Sequence, residues 1–481
     1  MSAEPIALNP DAPRSDRQRP TSAQVRAVRR ALSAHFDTDH LVDDPDAMAP
    51  YSTDWSAAKA YPPDLVVRAR TTEDVMMVLA AAQEHRIPVT PRGLGTGKAG
   101  GALPIYGGIV LSMERMRRIA AADRTNLQIT VEPGAVTGDI MRVAESEGLF
   151  YPPDPNSFDI CSIGGNVACN AGGPRAVKYG TTRDYVRSLQ VVLPTGRVVR
   201  FGALTAKSST GYNLRDLMIG SEGTLGIITE ITLRLIPRPT AVQTALVSFS
   251  SVNAASRAIT EIMAAGIVPR TLELLDQHAL DAVRAKTPGR FPSDAGAIVI
   301  LETDGRTERQ AFEDLERAAE VCQAYRALDV LLAQDEAQRE KIWAPRRVLS
   351  MTLKETAPRK ISEDIVVPRH QIPSMIAEVG RIGDRHRLRV AAYGHAGDGN
   401  LHVNVLFDDA SENRAHAAVR DVIGETIRLG GTISGEHGIG LLKQEFLPLE
   451  QSTEVLDIQR ALKMTMDPFG LLNPGKVLPP G

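Results

Sequence analysis

Residues 91–102 read Pro91-Arg92-Gly93-Leu94-Gly95-Thr96-Gly97-Lys98-Ala99-Gly100-Gly101-Ala102. Five glycines let this backbone curl with several N–H groups turned inward, a geometry that suits a diphosphate. The dinucleotide fingerprint G-x-G-x-x-G matches Gly95, Gly97 and Gly100, but Gly101-Ala102-Leu103-Pro104 follows where a helix would be required. That context disfavours a Rossmann domain and an NAD-dependent enzyme. Two further segments are built alike. Tyr151-Pro152-Pro153-Asp154-Pro155 leads to Cys161-Ser162-Ile163-Gly164-Gly165-Asn166-Val167-Ala168-Cys169-Asn170-Ala171-Gly172-Gly173, where small residues would let a flat ring system lie close to backbone. Gly220-Ser221-Glu222-Gly223-Thr224-Leu225-Gly226 sets glycines beside a carboxylate and hydroxyls, just before a strand-like Ile227-Ile228-Thr229. Three such loops within one region are more than ordinary turns require.

Around these loops the pattern is α+β. Thr21 to Phe36 reads as a helix behind a polar N-terminal arm. Strands are predicted at Leu65–Val67, Ile87–Thr90, Gly108–Ser112 and Gln128–Val131, with a helix capped within Thr71–Asp74 and carrying Val75, Val78, Leu79 and Ala82 on one face. Ile236-Pro237-Arg238-Pro239 marks a boundary. Beyond it come a strand at Ala241–Phe249, a helix at Ser251–Ala265, a strand at Ala297–Glu302 and a long helix at Arg306–Ala327, then strands near Ile365 and Leu388. The expected division is an arm and helix (1–50), a cofactor domain (51–239), a cap domain (240–440) and a helical tail (441–481).

At 481 residues and 43% hydrophobic content the chain can bury several cores. A formal net charge of −3 argues against nucleic acid as a partner. Three cysteines without C-x-x-C spacing argue against iron–sulfur clusters, thiolate zinc sites and disulfides, and fit a cytoplasmic protein. Met1–Thr21 lacks the apolar core of a signal peptide, and no apolar run is long enough to span a membrane. Membrane association is therefore expected only through a partner.

The three glycine segments, in this order, resemble the flavin-binding domain of the vanillyl-alcohol oxidase and p-cresol methylhydroxylase superfamily. Within it the chain is most similar to the branch of D-lactate dehydrogenases, glycolate oxidase FAD subunits and D-2-hydroxyglutarate dehydrogenases, from about Tyr51 to Lys476. The resemblance implies an FAD-binding domain of two α/β subdomains and an α+β cap bearing an antiparallel sheet. It implies that Arg92, Gly93, Leu94, Gly95, Thr96 and Gly97 cradle the FAD diphosphate. Ser162, Ile163, Gly164, Gly165, Asn166, Gly172, Glu222 and Ile228 would line the cofactor, with Pro133 and Asp154 nearby, and Asn473 in Asn473-Pro474-Gly475-Lys476 would return the tail to the flavin. Lys98-Ala99 stands where many relatives have Leu-Ser, so Lys98 would supply charge in place of a hydroxyl. No histidine occupies the first glycine loop, where some members tether the flavin, so FAD is expected to be non-covalent.

Tyr393-Gly394-His395-Ala396-Gly397-Asp398-Gly399-Asn400-Leu401-His402-Val403-Asn404 places a Gly-Asp-Gly turn between two histidines. With strands on either side, His395 and His402 can face each other, and alternation puts His402 and Asn404 opposite Leu401, Val403 and Val405. Ser434-Gly435-Glu436-His437-Gly438-Ile439-Gly440 adds a carboxylate and a third histidine. Two imidazoles and a carboxylate with an open position form a common catalytic zinc set. Both segments match motifs of the metal-dependent members, which implies His395, His402 and Glu436 as ligands of a divalent metal, zinc by expectation. The same match implies His437 as the base and Asn404 as a substrate contact.

Trp343-Ala344-Pro345-Arg346-Arg347 is similar to the family's Trp-x-x-Arg stretch, making Arg346 the expected carboxylate clamp and a catalytic-site residue, against the alternative of a surface salt bridge. Ser350 lies one helical turn further on the same face. The hydroxyglutarate enzymes carry a lysine two places before the Asp that opens a following strand. Here Asp364 leads Ile365-Val366-Val367 and that place holds Ser362, with Lys360 off register. The expected substrate is therefore a small D-2-hydroxy acid, D-lactate or glycolate, oxidised with hydride passing to the flavin and electrons leaving to a quinone, cytochrome c or an electron-transfer flavoprotein. Alternatives from the same resemblance are a D-2-hydroxyglutarate dehydrogenase, an oxygen-using oxidase, and an FAD subunit of a multi-subunit glycolate oxidase. A homodimer and additional oxidase subunits both remain open.

Overall fold

A computed structural model describes residues 18–284, 286–287 and 291–480; most of the expected N-terminal arm lies outside them. Strands β1 (Leu41–Val42), β2 (Leu65–Arg68), β3 (Val89–Arg92) and β4 (Ile109–Ser112) form a sheet in the order β1-β2-β4-β3. Its β2, β4 and β3 run parallel, and their Val, Ile and Leu side chains are buried. The Thr72–His85 helix covers this sheet through Val75, Val78, Leu79 and Ala82. It starts where predicted, at a capping box made by Thr71 and Asp74.

The next sheet is antiparallel, in the order β5 (Gln128–Val131), β9 (Ile227–Arg234), β7 (Val186–Val192) and β8 (Val198–Gly202). A short ribbon of β6 (Leu149–Phe150) and β10 (Ile236–Pro237) sits beside the segment read as a boundary.

A seven-stranded antiparallel sheet follows, built from β11 (Ala241–Phe249), β12 (Thr271–Leu275), β13 (Ala297–Gly305), β14 (Ala327–Leu332), β15 (Arg359–Val366), β16 (Arg389–His395) and β17 (Asn400–Phe407). Their order is β14-β11-β13-β12-β16-β17-β15. One face carries Leu401, Val403 and Val405 and packs on the Val252–Ala264, Glu308–Ala324, Ile372–His386 and Glu412–Arg428 helices. The other packs on the Gln277–Arg284 and Glu336–Glu355 helices. Pairing is in register at Tyr393↔His402, Asp364↔His402 and Glu273↔His395, so these five side chains share that second face.

Two elements differ from the sequence reading. The helix predicted to run to Ala327 stops at Ala324, and Ala327 opens the edge strand β14, whose Leu328 and Leu331 are exposed. An edge strand pairs on one side only, so its apolar alternation is weak. Ile163–Cys169, read as part of a glycine loop, is a helix: the Ser162 hydroxyl caps it by accepting from Gly165 N, and left-handed Asn170 ends it.

Candidate functional site

The β16–β17 hairpin, closed by the Gly397-Asp398-Gly399 turn, brings His395 and His402 edge to face, ring centroids 5.2 Å apart and 86° between planes. His437 stacks on the other side of His402, 5.4 Å away at 11°. Glu436 lies in the middle. Its Oε1 is 3.5 Å from His395 Nε2, 3.6 Å from His402 Nε2 and 3.7 Å from His437 Nε2. Its Oε2 is buried with no hydrogen-bond partner. Three imidazole nitrogens aimed at one carboxylate, with an orphaned oxygen among them, fit a divalent cation better than a closed hydrogen-bond network.

Each histidine also has a carboxylate on its Nδ1 side. His395 Nδ1 bonds to Glu273 Oε1, while the Nδ1 atoms of His402 and His437 each lie 3.8 Å from Asp364. Carboxylates that face the outer nitrogen of a metal-binding histidine are the usual orienting layer. Among the described residues, the donors close enough together to share one ion are those of Asp364, His402, Glu436 and His437. This grouping holds two of the three predicted ligands, and His395 stands against the same Glu436 oxygen. Asp364 is already saturated, however. Its Oδ2 accepts from Ser434 Oγ and from the N–H groups of Gly435, Glu436 and His437, and its Oδ1 accepts from Asn400 Nδ2.

Charge in the cluster is set by burial and by these pairings. Burial drives His437 down to about 4, against the pull of Asp364, so its imidazole is neutral near pH 7. Burial and the neighbouring His395 and His437 likewise hold His402 well below its ordinary value. For His395 burial acts in the same direction but Glu273 and Glu436 outweigh it, raising the group well above the usual histidine range.

Arg346 is not at the surface. It is buried on the Glu336–Glu355 helix, its Nε bonded to Glu273 and its guanidinium 4.9 Å above the Tyr393 ring. Glu273 is fully buried and bridges Arg346 to His395. Burial opposes its ionisation, but Arg346 and His395 hold its carboxyl below the ordinary range. Asn404 has no exposed surface; its Nδ2 donates to His402 O (2.9 Å), and its Oδ1 has no partner. The Ser350 hydroxyl and carbonyl both accept from Lys360 Nζ at 3.3 Å. Burial, then Lys98 and Lys354, lower that amine to about 8.

The glycine loops meet beside this cluster. Arg92, at the end of β3, is buried, donates to Pro50 O (3.1 Å), and keeps Nη1 without a partner. Its guanidinium lies over left-handed Gly95, where a Cβ would stand 2.1 Å from Nη2. Gly97 opens onto free space, between Thr96 and Lys98. A Cβ on Gly93 would strike Ser162 Oγ at 2.2 Å, and one on Gly164 would strike Pro133 at 2.6 Å, so loops one and two are interlocked with Pro133. A Cβ on Gly172 would stand 3.2 Å from Glu436 Oε2, so the second loop lies against the histidine cluster. An open, glycine-walled cradle with an unpaired buried guanidinium nitrogen fits an anionic dinucleotide.

Several predicted cofactor residues turn out to be engaged in holding the loops. Glu222 accepts from Ile439 N (2.8 Å) and Gly440 N (2.9 Å), tying the third loop to the Glu436-His437 turn. Asn473 Nδ2 donates to Gly101 O and Glu222 O, both at 2.8 Å, stitching loops one and three together. Asp154, raised to about 6 by burial, is paired with Arg175. Asn166 Nδ2 donates to Thr137 Oγ1 (2.7 Å), and Ile163 and Ile228 pack in the core under the second sheet.

Residues 63–202 match the family model described as an FAD binding domain, and residues 238–477 match that of the FAD linked oxidases, C-terminal domain. The glycolate oxidase subunit GlcD of Bacillus subtilis is 40% identical over 89% of this chain and 91% of its own length. The chain belongs to the FAD-linked oxidase family. It is an FAD-linked oxidoreductase. D-lactate dehydrogenase of Anaerostipes hadrus is 37% identical over 86% of this chain and 89% of its own. The fold is that of substrate-bound p-cresol methylhydroxylase, with a TM-score of 0.80 at 18% identity, over 95% of this chain and 97% of that one. Among the described residues no helix is long and apolar enough to cross a membrane.

Glu273 and Asp364 are the residues whose roles the sequence reading missed. The available signal was a carboxylate set against apolar strand residues, in Leu272-Glu273-Leu274 and in Glu363-Asp364 ahead of Ile365-Val366-Val367.

Proposed function

We propose that the protein oxidises a small D-2-hydroxy acid, D-lactate or glycolate, to the 2-oxo acid and passes the electrons to an acceptor other than NAD. The observation that carries this is the convergence of three imidazole Nε2 atoms on Glu436, beside a buried guanidinium and the glycine loops. FAD supplies the hydride acceptor, and a divalent ion, zinc by the donor set, supplies Lewis acidity at the hydroxyl. His395, His402 and Glu436 would hold that ion. Arg346, fixed by Glu273, pairs with the substrate carboxylate, and Ser350 and the unpartnered Asn404 Oδ1 orient the rest of the acid. His437, neutral because it is buried, accepts the hydroxyl proton at Nε2. A quinone, cytochrome c or an electron-transfer flavoprotein would take the electrons onward.

A monocarboxylate is favoured because Ser362 puts no cation on the strand face between Asp364 and Lys360, and the Lys360 amine is held by Ser350. D-lactate or glycolate should therefore reduce a redox dye faster than D-2-hydroxyglutarate, and faster with dye than with oxygen alone. A wide preference for hydroxyglutarate would show that Lys360 reaches the substrate after all. Acid precipitation of the purified yellow protein should release FAD into the supernatant, since residues 91–102 contain no histidine to tether it. Flavin retained in the pellet would contradict a dissociable cofactor.

A further inference from the structure

We propose that Asp304 is a positioning residue that ties the second glycine loop to the sheet carrying the histidine cluster, and so fixes the spacing between the cofactor cradle and the substrate-binding groups. Asp304 lies near the end of β13 with a fully buried side chain. Alternation puts it on the second face of the seven-stranded sheet, with Ile298, Ile300 and Glu302. Its Oδ2 accepts from the Tyr179 hydroxyl at 2.7 Å and from Arg270 Nη1 at 3.2 Å. Lys178 Nζ donates to its Oδ1 and, at 3.1 Å, to its carbonyl oxygen. Lys178 and Tyr179 sit on the short Ala176–Tyr179 helix just after loop two, within the FAD binding domain, whereas Asp304 and Arg270 belong to the C-terminal domain. Moving either side would leave a buried charge unpaired, so the junction resists sliding.

The tie reaches both halves of the site. Asp154 Oδ1 accepts from Arg175 N at 3.0 Å and its Oδ2 stands 3.1 Å from Arg175 Nε, which anchors the chain between loop two and the short helix. Val177 of that helix packs on the turn of the histidine hairpin, where a Cβ on Gly397 would stand 2.8 Å from its Cγ2. In the other direction Arg270 Nε is 3.6 Å from Glu302 Oε2, and Glu302 Oε1 accepts from Trp343 Nε1 at 2.8 Å. Trp343 precedes Arg346 by three residues on one helix. The groups proposed to hold the hydroxy acid all lie in the C-terminal domain, and loop two lies in the other. Loosening the tie therefore changes transfer between the two and not the binding of the acid. Glu222 still joins loop three to Ile439 and Gly440, so the molecule stays assembled without it. The effect on rate rests on the proposed function; the tie itself does not.

The test uses the full-length, FAD-loaded protein. In Lys178→Met the rate of flavin reduction at saturating D-lactate or glycolate should fall about ten- to a hundredfold, the order set by a displacement of about 1 Å. The concentration giving half the maximal rate and the FAD content should not change. Lys178→Arg keeps the charge and should recover most of the rate. Hydrogen exchange followed by mass spectrometry reads the tie without turnover: segments 174–180 and 395–400 should exchange faster in Lys178→Met, and segment 91–97 should not. Tyr179→Phe should show smaller changes of the same sign, and it decides the matter if Lys178→Met does not fold. Unchanged exchange in both segments overturns the proposal. Faster exchange with an unchanged rate, or a loss seen only in the half-saturating concentration, overturns the positioning role. Should no hydroxy acid reduce the flavin of the unmodified protein, the proposed reaction falls and the exchange comparison alone decides the tie.

Discussion

Replacing Glu436 or His402 with alanine is expected to abolish binding of the proposed divalent ion and the activity together, while FAD stays bound. Glu436 Oε1 is the atom on which all three imidazoles converge, and His402 is the central ring of the group. Glycine loops one and three, which would hold the cofactor, are stitched to one another by Asn473, independently of either side chain. Replacing His437 with alanine should act differently. Metal and FAD both remain, and turnover falls by about a hundred- to ten-thousand-fold, the usual cost of losing a general base. The contrast depends on roles and not on distance, because His437 Nε2 stands as close to Glu436 as the predicted ligands do. Metal content by atomic absorption, measured beside steady-state rates, decides it. Loss of metal in His437→Ala with retention in Glu436→Ala would exchange the two assignments. No change in turnover for either would make the cluster structural.

The second large effect belongs to Arg346. Its guanidinium is buried against Glu273, whose other oxygen meets His395, so Arg346→Met leaves a buried carboxylate with only one partner. Breaking one side of such a buried pair costs about 3–5 kcal/mol. The thermal midpoint should fall clearly, and KM for the hydroxy acid should rise with it. Arg346→Lys should recover part of the stability but little of the KM, since a point charge cannot present the planar fork that grips a carboxylate. An Arg346→Met protein that melts and binds substrate like the unmodified one would remove Arg346 from the site.

The histidine hairpin was legible because Gly397-Asp398-Gly399 interrupts two alternating strands, and a period of two fixes which side chains share a face. The first glycine loop was legible for a related reason: Gly95 occupies a left-handed turn beneath a guanidinium that no other residue would fit. Glu222 and Asn473 show the limit. A carboxylate or amide among glycines can face a ligand or the backbone of a distant loop, and nothing local distinguishes the two. Here both atoms go to backbone, more than two hundred residues away in sequence. Glu273 and Asp364 were hidden because their function depends on strand order. Only the β12-β16-β17-β15 arrangement puts them behind the histidines. Edge strand β14 was hidden by its own exposure, which erases the alternation that marks a buried strand.

The most direct test of the central claim is anaerobic mixing of the FAD-loaded protein with D-lactate, L-lactate and glycolate, following loss of the oxidised flavin absorbance. If the Arg346, Glu436 and His437 side chains present a D-2-hydroxy acid to the cofactor, D-lactate or glycolate will bleach the flavin within the turnover time, and L-lactate will bleach it far more slowly. A flavin that stays oxidised with every 2-hydroxy acid tried, yet is reduced readily by dithionite, would contradict the account.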